Sequence, residues 1–433
     1  AQMALAAYVG VLAGAGSVSN IRFMERLSVD LMSAVVLLAV GLVALVSLLV
    51  SRGTLNESRF SFFNLLLLIM TGMNGLSMVT DVFTVYVFVE AVSAASFILI
   101  AIHKKSYELE GAFKYYMLSA IATILMLTGI GLLFLTVGST DFTGIAAFVA
   151  AQAGHIGLAP AAAFVLFTAG LLIKSGAVPF HTWVPDAYGA APAAVSVLLA
   201  GIVTKVSGVY VLMRVFRDVF LSNPAVGNVL LVLGMASVLI GALAAIGQDD
   251  IKRMLAYSSI SQIGYILLGV ATGSPLGYAG ALLHSFNHAT FKGLLFVDAA
   301  AIRTQTGERA MSKMGGLATR MPVTGVTSII AFLSTAGIPP LSGFWSKLLI
   351  VMAVWRVSPA LALAALAASI LTLTYFLIMQ KKVFFGKPEG AMADATEAGR
   401  WTVTAEVLLA AVNVSVGLLF PLVLTYLQNL GLL

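Results

Sequence analysis

Residues 174–183 read KSGAVPFHTW and residues 337–347 read GIPPLSGFWSK, so proline and glycine interrupt two long apolar stretches. The stretches, 160–189 and 323–356, are both longer than the roughly 20 residues that cross a bilayer as one straight helix. Proline removes a backbone donor and clashes with the preceding helical turn. Each stretch is therefore predicted to form two half-helices.

The breaks are centred on Pro179 in the first stretch and on Pro339 and Pro340 in the second. Broken backbone at membrane depth is tolerated only where protein or a water-filled cavity covers it. Two such breaks in corresponding parts of two halves of a chain indicate an inverted repeat and a transport site. The alternative interpretation is a pair of ordinary kinks in a packed bundle.

The rest of the chain is also suited to lipid. Hydrophobic residues make up 60% of the 433 residues and charged residues 10%, whereas soluble proteins carry about 25% charged residues. Further apolar stretches near or above the length of a membrane span are 27–51, 60–79, 82–102, 112–137, 192–214, 225–247, 255–272, 276–301, 360–382 and 403–428. We therefore predict an all-α polytopic membrane protein of about 12–14 transmembrane helices, with two inverted repeats that each contain a broken helix.

Four regions follow from this pattern. They are N-terminal peripheral helices (1–59), a first inverted repeat (60–216), a second inverted repeat (217–382) and a C-terminal loop and helix (383–433). Residues 1–18 are apolar, short and glycine-rich. No basic residue precedes this run, as one would in a signal segment, so a short or tilted helix is favoured.

Basic residues are divided unevenly between the two sides of the membrane. When the spans are threaded alternately, one side receives five: Arg22, Arg26, Arg214, Arg217 and Arg356. The other side receives fourteen: Arg52, Arg59, Lys104, Lys105, Lys252, Arg253, Arg303, Arg309, Lys313, Arg320, Lys381, Lys382, Lys387 and Arg400. Cytoplasmic loops carry the excess of basic residues, so the second side is predicted to be cytoplasmic and the protein to span the cell membrane. The net charge of +6 is thus explained by orientation and not by nucleic-acid binding.

Several protonatable residues lie far from the end of any predicted span. A charge at the bilayer centre costs about 2.5–3.5 kcal/mol or more, so each needs a specific role. The residues are Glu90, Lys174, Lys205, His284, His288, Lys292 and Lys347. A structural ion pair or hydrogen bond would explain any single one of them. Together, in different spans and with two beside helix breaks, they favour a pathway for protons.

His284, His288 and Lys292 are spaced four residues apart, so they lie on one face of a helix, about 6 Å apart along its axis. Histidine is suited to a relay because it loads and releases protons near physiological pH. A carboxylate such as Glu90 would help a lysine to keep its proton, so breaking that contact would release it. Three charged residues lie closer to span ends, where solvation at the membrane surface explains them as well as a function does: Asp81, Lys114 and Asp298.

Other kinds of site are not supported. The chain contains no cysteine, which excludes disulfides, zinc–thiolate sites and iron–sulfur ligation. No P-loop, Rossmann glycine pattern or haem ligand arrangement is present. His181 and Asp186 have the side chains of metal ligands, but two ligands without a third are too few for a metal site. We therefore expect no catalytic side chain, no cofactor and no metal in this chain.

Five local motifs are similar to those of a known family. They are YVFVE at 86–90, KSGAVPFHTWVPDA at 174–187, DIKRMLAYSSI at 250–260, HATFKGLLF at 288–296 and GIPPLSGFWSK at 337–347. Over about residues 60–380, the chain resembles the antiporter-like membrane subunits shared by respiratory complex I, Mrp-type cation/proton antiporters and membrane-bound hydrogenases. The pattern over 315–324 resembles the Mrp and hydrogenase branch more closely than complex I.

The resemblance implies a helical bundle with two inverted repeats, each containing one broken helix. It implies that Glu90 and Lys174 form the carboxylate–lysine pair of a first half-channel. Lys205 would then pass the proton toward the centre of the protein. These are residues that the cost of burying charge also singles out.

The resemblance also implies roles in the second half. His284, His288 and Lys292 would form the central connection, and Lys347 would be the terminal site of the second half-channel. Some relatives have glutamate at the position of Lys347, which leaves the direction of that half-channel open. Family members usually have more helix before the span predicted at 27–51.

We therefore expect a proton-translocating subunit of a multi-subunit respiratory or ion-pumping complex. Its partners would be lipid and other membrane subunits of a respiratory, hydrogenase or Mrp-type complex, which would supply redox chemistry or cation exchange. One alternative is a stand-alone secondary transporter, either a Na+/H+ antiporter or an organic-substrate symporter, which would need a roomy pocket at the midplane. Another is a membrane scaffold in which the buried charges are packing partners. The redox donor and the transport of sodium are left open.

Overall fold

A computed structural model of the protein describes residues 21–23, 27–55, 58–152 and 157–429. The short helix expected over residues 1–18 lies outside the described residues. Two strands, β1 (Ile21–Phe23) and β2 (Leu27–Val29), form a small antiparallel pair at the start of the described chain. The remaining architecture is helical, in agreement with the predicted all-α class.

Fifteen helices follow in the described chain. They are α1 (Leu31–Thr54), α2 (Arg59–Met78), α3 (Val82–Ile100), α4 (Ser106–Val137), α5 (Phe142–Ala151), α6 (Leu158–Ser175), α7 (Trp183–Ala190), α8 (Ala193–Val219), α9 (Pro224–Ile246), α10 (Ile251–Ala271), α11 (Pro275–Thr306), α12 (Pro322–Ala336), α13 (Ser342–Val357), α14 (Pro359–Val383) and α15 (Arg400–Asn429).

Most of these helices cross the membrane. Ten helices in the described chain are long and apolar enough to do so. The 32-residue helix α11 and the broken pair α12–α13 are not among these ten. The sequence predicts one further crossing for each, which would give twelve. The helices often extend a few residues past the predicted apolar stretches.

Both predicted helix breaks are present, and each begins at a glycine in the left-handed conformation. Helix α6 ends at Ser175 and is followed by Gly176 at φ +71°. Helix α12 ends at Ala336 and is followed by Gly337 at φ +86°. Glycine adopts this conformation at little cost, and its N–H satisfies carbonyls of the last helical turn. Glycine therefore ends the first half-helix, and the prolines lie in the segment that follows it.

Contacts between loops reproduce the alternate threading of the spans. On the predicted cytoplasmic side, Asp249 accepts hydrogen bonds from Ser312 Oγ at 2.5 Å and from Lys382 Nζ at 3.2 Å. On the opposite side, Arg214 Nη1 lies 2.6 Å from Asp30 Oδ2. Each contact joins segments that the threading places on the same side of the membrane.

The helices that carry the buried protonatable residues lie at the centre of the bundle. Helix α8 packs against α1, α6 and α11, and its membrane-crossing part is entirely buried by other helices. Peripheral helices instead present large apolar side chains such as Leu135 and Ile370. Lipid is the solvent of this outer surface, so the polar side chains are collected inside.

Candidate functional site

A lysine and a glutamate meet beside the first helix break. Lys174 lies in the last turn of α6, two residues before Gly176, and its Nζ is 2.8 Å from Oε1 of Glu90 on α3. The Lys174 side chain is 1% exposed, and that of Glu90 is 33% exposed. A cation in the last turn of a helix also interacts favourably with the carbonyls left unpaired there. The structure thus brings together the two residues expected to form the first pair.

Three hydroxyl groups surround this pair. Lys174 Nζ donates to Ser93 Oγ at 2.9 Å and to Ser119 Oγ at 2.6 Å. Thr123 Oγ1 donates to Glu90 Oε1 at 2.6 Å. A hydroxyl can donate or accept a hydrogen bond. Lys174 therefore keeps polar partners whether its amine is protonated or neutral.

Lys205 lies in the enclosed helix α8, where the helix widens into π-type turns over Leu199–Val203 and Lys205–Tyr210. Such turns are rare and occur frequently at functional sites. Lys205 Nζ donates to the carbonyl of Ala200 and to Thr204 Oγ1. Within the described chain, Lys205 has no carboxylate partner.

Lys292 is also held by neutral groups. It is fully buried on α11, and its Nζ donates to Ser258 Oγ at 2.5 Å and to the Leu255 carbonyl at 3.3 Å. Ser258 shares a further hydrogen bond of 2.7 Å with the hydroxyl of Tyr375. The ammonium group lies 5.4 Å from the centre of the Phe376 ring. These contacts support a cation without neutralising it.

His284 and His288 lie on the same face of α11 as Lys292, with their ring centres 6.4 Å apart. His284 Nδ1 lies 2.8 Å from Ser346 Oγ. Among the described residues, His284 Nε2 and both ring nitrogens of His288 have no hydrogen-bond partner although they are buried. Buried polar atoms are nearly always bonded to protein or ordered water. These three nitrogens are therefore expected to bond to water.

Lys347 lies just after the second break and is 5% exposed. Its Nζ donates to the carbonyl of Ala336 at 3.4 Å and lies 4.5 Å from the centre of the Tyr265 ring. Ala336 is the last residue of α12, so this lysine contacts the carboxyl end of a half-helix across the break. Lys174 likewise lies at the carboxyl end of a half-helix.

Four protonatable residues interact electrostatically with His288. Its imidazole lies within electrostatic range of Lys205, Lys292, Lys347 and His284. Lys292 is in turn within range of Lys205 and Lys347. The principal charged neighbour of Lys174 is Glu90, so the first pair stands apart from this group.

Helices α6 and α8 join the two parts of the site. A Cβ atom placed on Gly208 of α8 would lie 2.5 Å from the backbone nitrogen of Ser175, the residue after Lys174. Real Cβ atoms do not come this close to backbone, so the contact requires glycine. The π-helical turn that carries Lys205 is therefore packed directly against the end of α6.

A set of buried carboxyl groups was not singled out by the sequence. Asp298 on α11 and Glu406 on α15 are 2% and 0% exposed. Thr327 Oγ1 donates to Asp298 at 3.1 Å, and Thr324 Oγ1 donates to Glu406 at 3.0 Å and to Glu397 at 2.8 Å. For Asp298, which lies near the end of a predicted span, solvation at the membrane surface was an equal explanation. Glu406, near the start of the span predicted at 403–428, was not considered from the sequence.

The other charged residues near span ends have structural partners. Asp81 caps α3 by accepting a hydrogen bond from the Thr84 N–H at 2.7 Å. The Lys114 ammonium lies 2.8 Å from Asp186, whose second oxygen is 2.5 Å from Arg253. Cations thus contact both oxygens of Asp186, the residue considered above as a metal ligand. The described residues contain no group of three His, Cys, Asp or Glu side chains placed to hold a metal ion.

Known proteins are similar to this chain in both sequence and fold. Residues 79–372 match the family described as NADH:quinone oxidoreductase/Mrp antiporter, TM. NADH-quinone oxidoreductase subunit N of Desulforudis audaxviator is 36% identical over 349 residues, which cover 79% of this chain and 69% of that protein. A Na(+)/H(+) antiporter subunit of Alkalihalophilus pseudofirmus is 32% identical over 364 residues, which cover 83% of this chain and 73% of that protein.

A solved structure shows the same architecture. The chain is similar to a chain of the Mrp complex from Dietzia sp. DQ12-45-1b, with a TM-score of 0.89 and 25% identity over 100% of this chain and 90% of that one. The family match over 79–372 includes both helix breaks and the seven residues from Glu90 to Lys347 described above. This chain therefore belongs to the NADH:quinone oxidoreductase/Mrp antiporter family of membrane subunits.

Proposed function

We propose that this antiporter-like subunit moves protons through the membrane along its buried lysine and histidine residues. The pathway runs, in order, through Glu90, Lys174, Lys205, the group formed by His288, Lys292 and His284, and Lys347. The observation that carries the proposal is that all four lysines of this pathway are buried, and of these four only Lys174 has a carboxylate partner within the described chain.

The partners of each lysine determine how firmly it holds a proton. An ammonium group buried without an opposite charge loses its hydration, and neutral hydrogen bonds compensate for that loss only in part. Lys205, Lys292 and Lys347 are in this situation, whereas Lys174 lies 2.8 Å from Glu90, whose negative charge favours the protonated amine. Separating Glu90 from Lys174 would therefore favour transfer of the proton inward.

Repulsion between the inner lysines favours onward transfer. Lys205, Lys292 and Lys347 all act electrostatically on His288, and two like charges repel strongly in an interior of low dielectric constant. A proton that arrives at Lys205 therefore disfavours protons at the other two positions. The unpartnered nitrogens of His284 and His288 can accept or donate a proton through the water that their burial requires.

The proposal includes the division of the chain into repeats. Residues 60–216 and 217–382 would be the first and second inverted repeats, flanked by the peripheral regions 1–59 and 383–433. Each proposed repeat contains one broken helix that ends at a left-handed glycine. Each also has a lysine at the carboxyl end of its first half-helix, Lys174 in one case and Lys347 in the other.

Other membrane subunits are the partners of this chain, since the structure it resembles is that of a complex. In the described chain, Pro179 and residues 338–340 are exposed at the side of the bundle. Non-helical backbone at membrane depth needs cover, and we propose that neighbouring subunits provide it in place of lipid. They would also supply redox chemistry or cation exchange, with sodium as the candidate cation, because the relatives are named for NADH–quinone oxidoreduction and for Na+/H+ antiport.

A stand-alone secondary transporter is less well supported. The cavity next to Lys205 is lined mainly by apolar side chains of α1, α8 and α11, and it offers few groups that would recognise an organic substrate. The purified chain, reconstituted alone, is expected to transport neither sodium nor an organic solute. Transport by the chain alone would favour the alternative.

The proposal is tested by replacing the lysine of each half. Lys174→Ala and Lys347→Ala are expected to abolish proton translocation by the purified complex in sealed vesicles, measured with a pH-sensitive dye. Co-purification of the partner subunits must be unchanged. Lys313→Ala is the matched control, because that side chain is 72% exposed in a cytoplasmic loop. Translocation at the parent rate by either buried-lysine variant would contradict the pathway.

A further inference from the structure

Asp298 and Glu406 are two buried acids without a cation. Their carboxyl groups lie where α11, α12 and α15 pack together, and Thr327 and Thr324 donate one hydrogen bond to each. Asp298 Oδ2 and Glu406 Oε2 are buried without a partner among the described residues. Neither acid forms an ion pair with a lysine, arginine or histidine of the described chain.

A separate polar group is directed to the same region. A small cavity beside Asp298 is lined by Ser328 and by apolar side chains of α11 and α14. Gln380 on α14 is 2% exposed and donates from Nε2 to Ser328 Oγ at 2.7 Å, while its Oε1 is unpartnered. The unpartnered buried oxygens of Asp298, Glu406 and Gln380 need hydrogen-bond donors, which water or a carboxyl proton can supply.

The electrostatics of this region favour a bound proton. Two carboxylates near each other and away from water cannot both remain ionised at low cost. Glu397 adds a third negative group from the loop before α15. The basic residues nearest along these helices, Arg303, Lys381 and Arg400, donate no hydrogen bond to either buried acid. The side-chain donors to the pair are Thr324 and Thr327, both neutral and both on α12.

We propose that Asp298 and Glu406 share an exchangeable proton and form a second proton-holding site between Lys292 and the cytoplasmic surface. Thr324 connects the site outward, because its hydroxyl oxygen lies within hydrogen-bond distance of both Glu406 and the partly exposed Glu397. Asp298 links the pair of acids to Lys292 in the interior. It lies six residues after Lys292 on α11, about 9 Å along the helix axis.

Each transfer in this path is balanced. The O–H bond of one carboxyl group breaks as that of the other forms, with water carrying the proton across the gap, and no further reactant is needed. The path would give the second half of the subunit its own access to the cytoplasm. This role in transport rests on the proposed function, whereas the existence of the protonated pair does not.

Infrared spectroscopy of the purified full chain in lipid at neutral pH tests the pair directly. We expect a carbonyl stretching band of a protonated carboxyl group that shifts in D2O and disappears in Asp298→Asn and in Glu406→Gln. Thr327→Val keeps both acids and removes a donor to Asp298, so it should move the band without abolishing it. Asp394→Asn and Glu389→Gln, which change exposed acids, should leave the band unchanged.

The outcomes separate this inference from the proposed function. Absence of the band in the parent chain, a band insensitive to both buried-acid variants, or its loss on adding sodium alone would overturn the proton site. If the band behaves as expected while Lys174→Ala still translocates protons, the proposed function fails and the protonated pair stands. In the assembled complex, Asp298→Asn is expected to slow proton translocation by about tenfold or more. A parent rate would contradict its place on the path.

Discussion

The ammonium group of Lys174 lies 2.8 Å from the carboxylate of Glu90, and no other pathway lysine of the described chain has such a partner. Lys205, Lys292 and Lys347 are held by hydroxyl groups, carbonyls and aromatic rings. The first position can therefore retain a proton that the inner positions hold only at a higher cost in free energy. This difference is the physical basis for the gating that we propose at the first pair.

Removing the charge of Glu90 should stop the first step of transport. Glu90→Gln keeps the size of the side chain and its hydrogen bond with Thr123, but it leaves Lys174 without an opposite charge. We expect proton translocation by the complex to fall by about tenfold or more, as measured by dye quenching in sealed vesicles. Glu110→Gln is the control, since Glu110 is 64% exposed and forms its ion pair with Lys114 at the surface. Equal rates in the two variants would contradict gating by Glu90.

The close packing of α8 on the first break should depend on Gly208. Gly208→Ala would place a Cβ 2.5 Å from backbone atoms of Ser175, and backbone can move only with its helix. We expect unfolding in detergent to become easier by about 1–3 kcal/mol. Gly131→Ala on α4 meets nothing within 4 Å, so it should raise stability by about 0.5–1 kcal/mol. If Gly208→Ala were as stable as the parent, the tight contact would be wrong.

The ion pair on the outer side should stabilise the junction of α1 and α8. Arg214 donates two hydrogen bonds to Asp30, at 2.6 and 2.7 Å, but only one of 3.2 Å to Asp218. Asp30→Ala leaves the largely buried guanidinium group with only the longer contact to Asp218 and should cost about 3–5 kcal/mol. Asp218→Ala should cost about 1 kcal/mol or less. Replacing both partners, as Asp30→Leu with Arg214→Met, should recover part of the loss in thermal unfolding. Equal melting temperatures for the two alanine variants would show that Asp30 is not the main partner of Arg214.

The orientation in the membrane can be checked by labelling, because the chain contains no cysteine. Lys387→Cys and Arg356→Cys each place a single thiol at an exposed position, one on each predicted side. A maleimide that cannot cross membranes should label the cysteine at 356 in intact cells. It should label the cysteine at 387 only after permeabilisation. The reverse pattern would invert the topology, and labelling of both in intact cells would disprove the alternate threading.

The chain of amino acids was sufficient to predict the membrane class, the two broken helices and most of the spans. The bilayer demands about 20 apolar residues for each crossing and makes buried charge expensive, so residues such as Lys174 and Lys205 stand out locally. Spacing along one helix also predicted that His284, His288 and Lys292 share a face. These features depend on neighbours in sequence.

The identity of each side chain's partner depended on which helices pack together. Lys205 has only neutral partners because π-type turns direct it toward carbonyls of its own helix, and no apolar pattern distinguishes such turns from an α-helix. Asp298 and Glu406 lie 108 positions apart in the chain, and only the packing of α11, α12 and α15 removes both from water. Contacts of this kind are formed by the chain as a whole, whereas hydrophobic length and helix termination are properties of short segments.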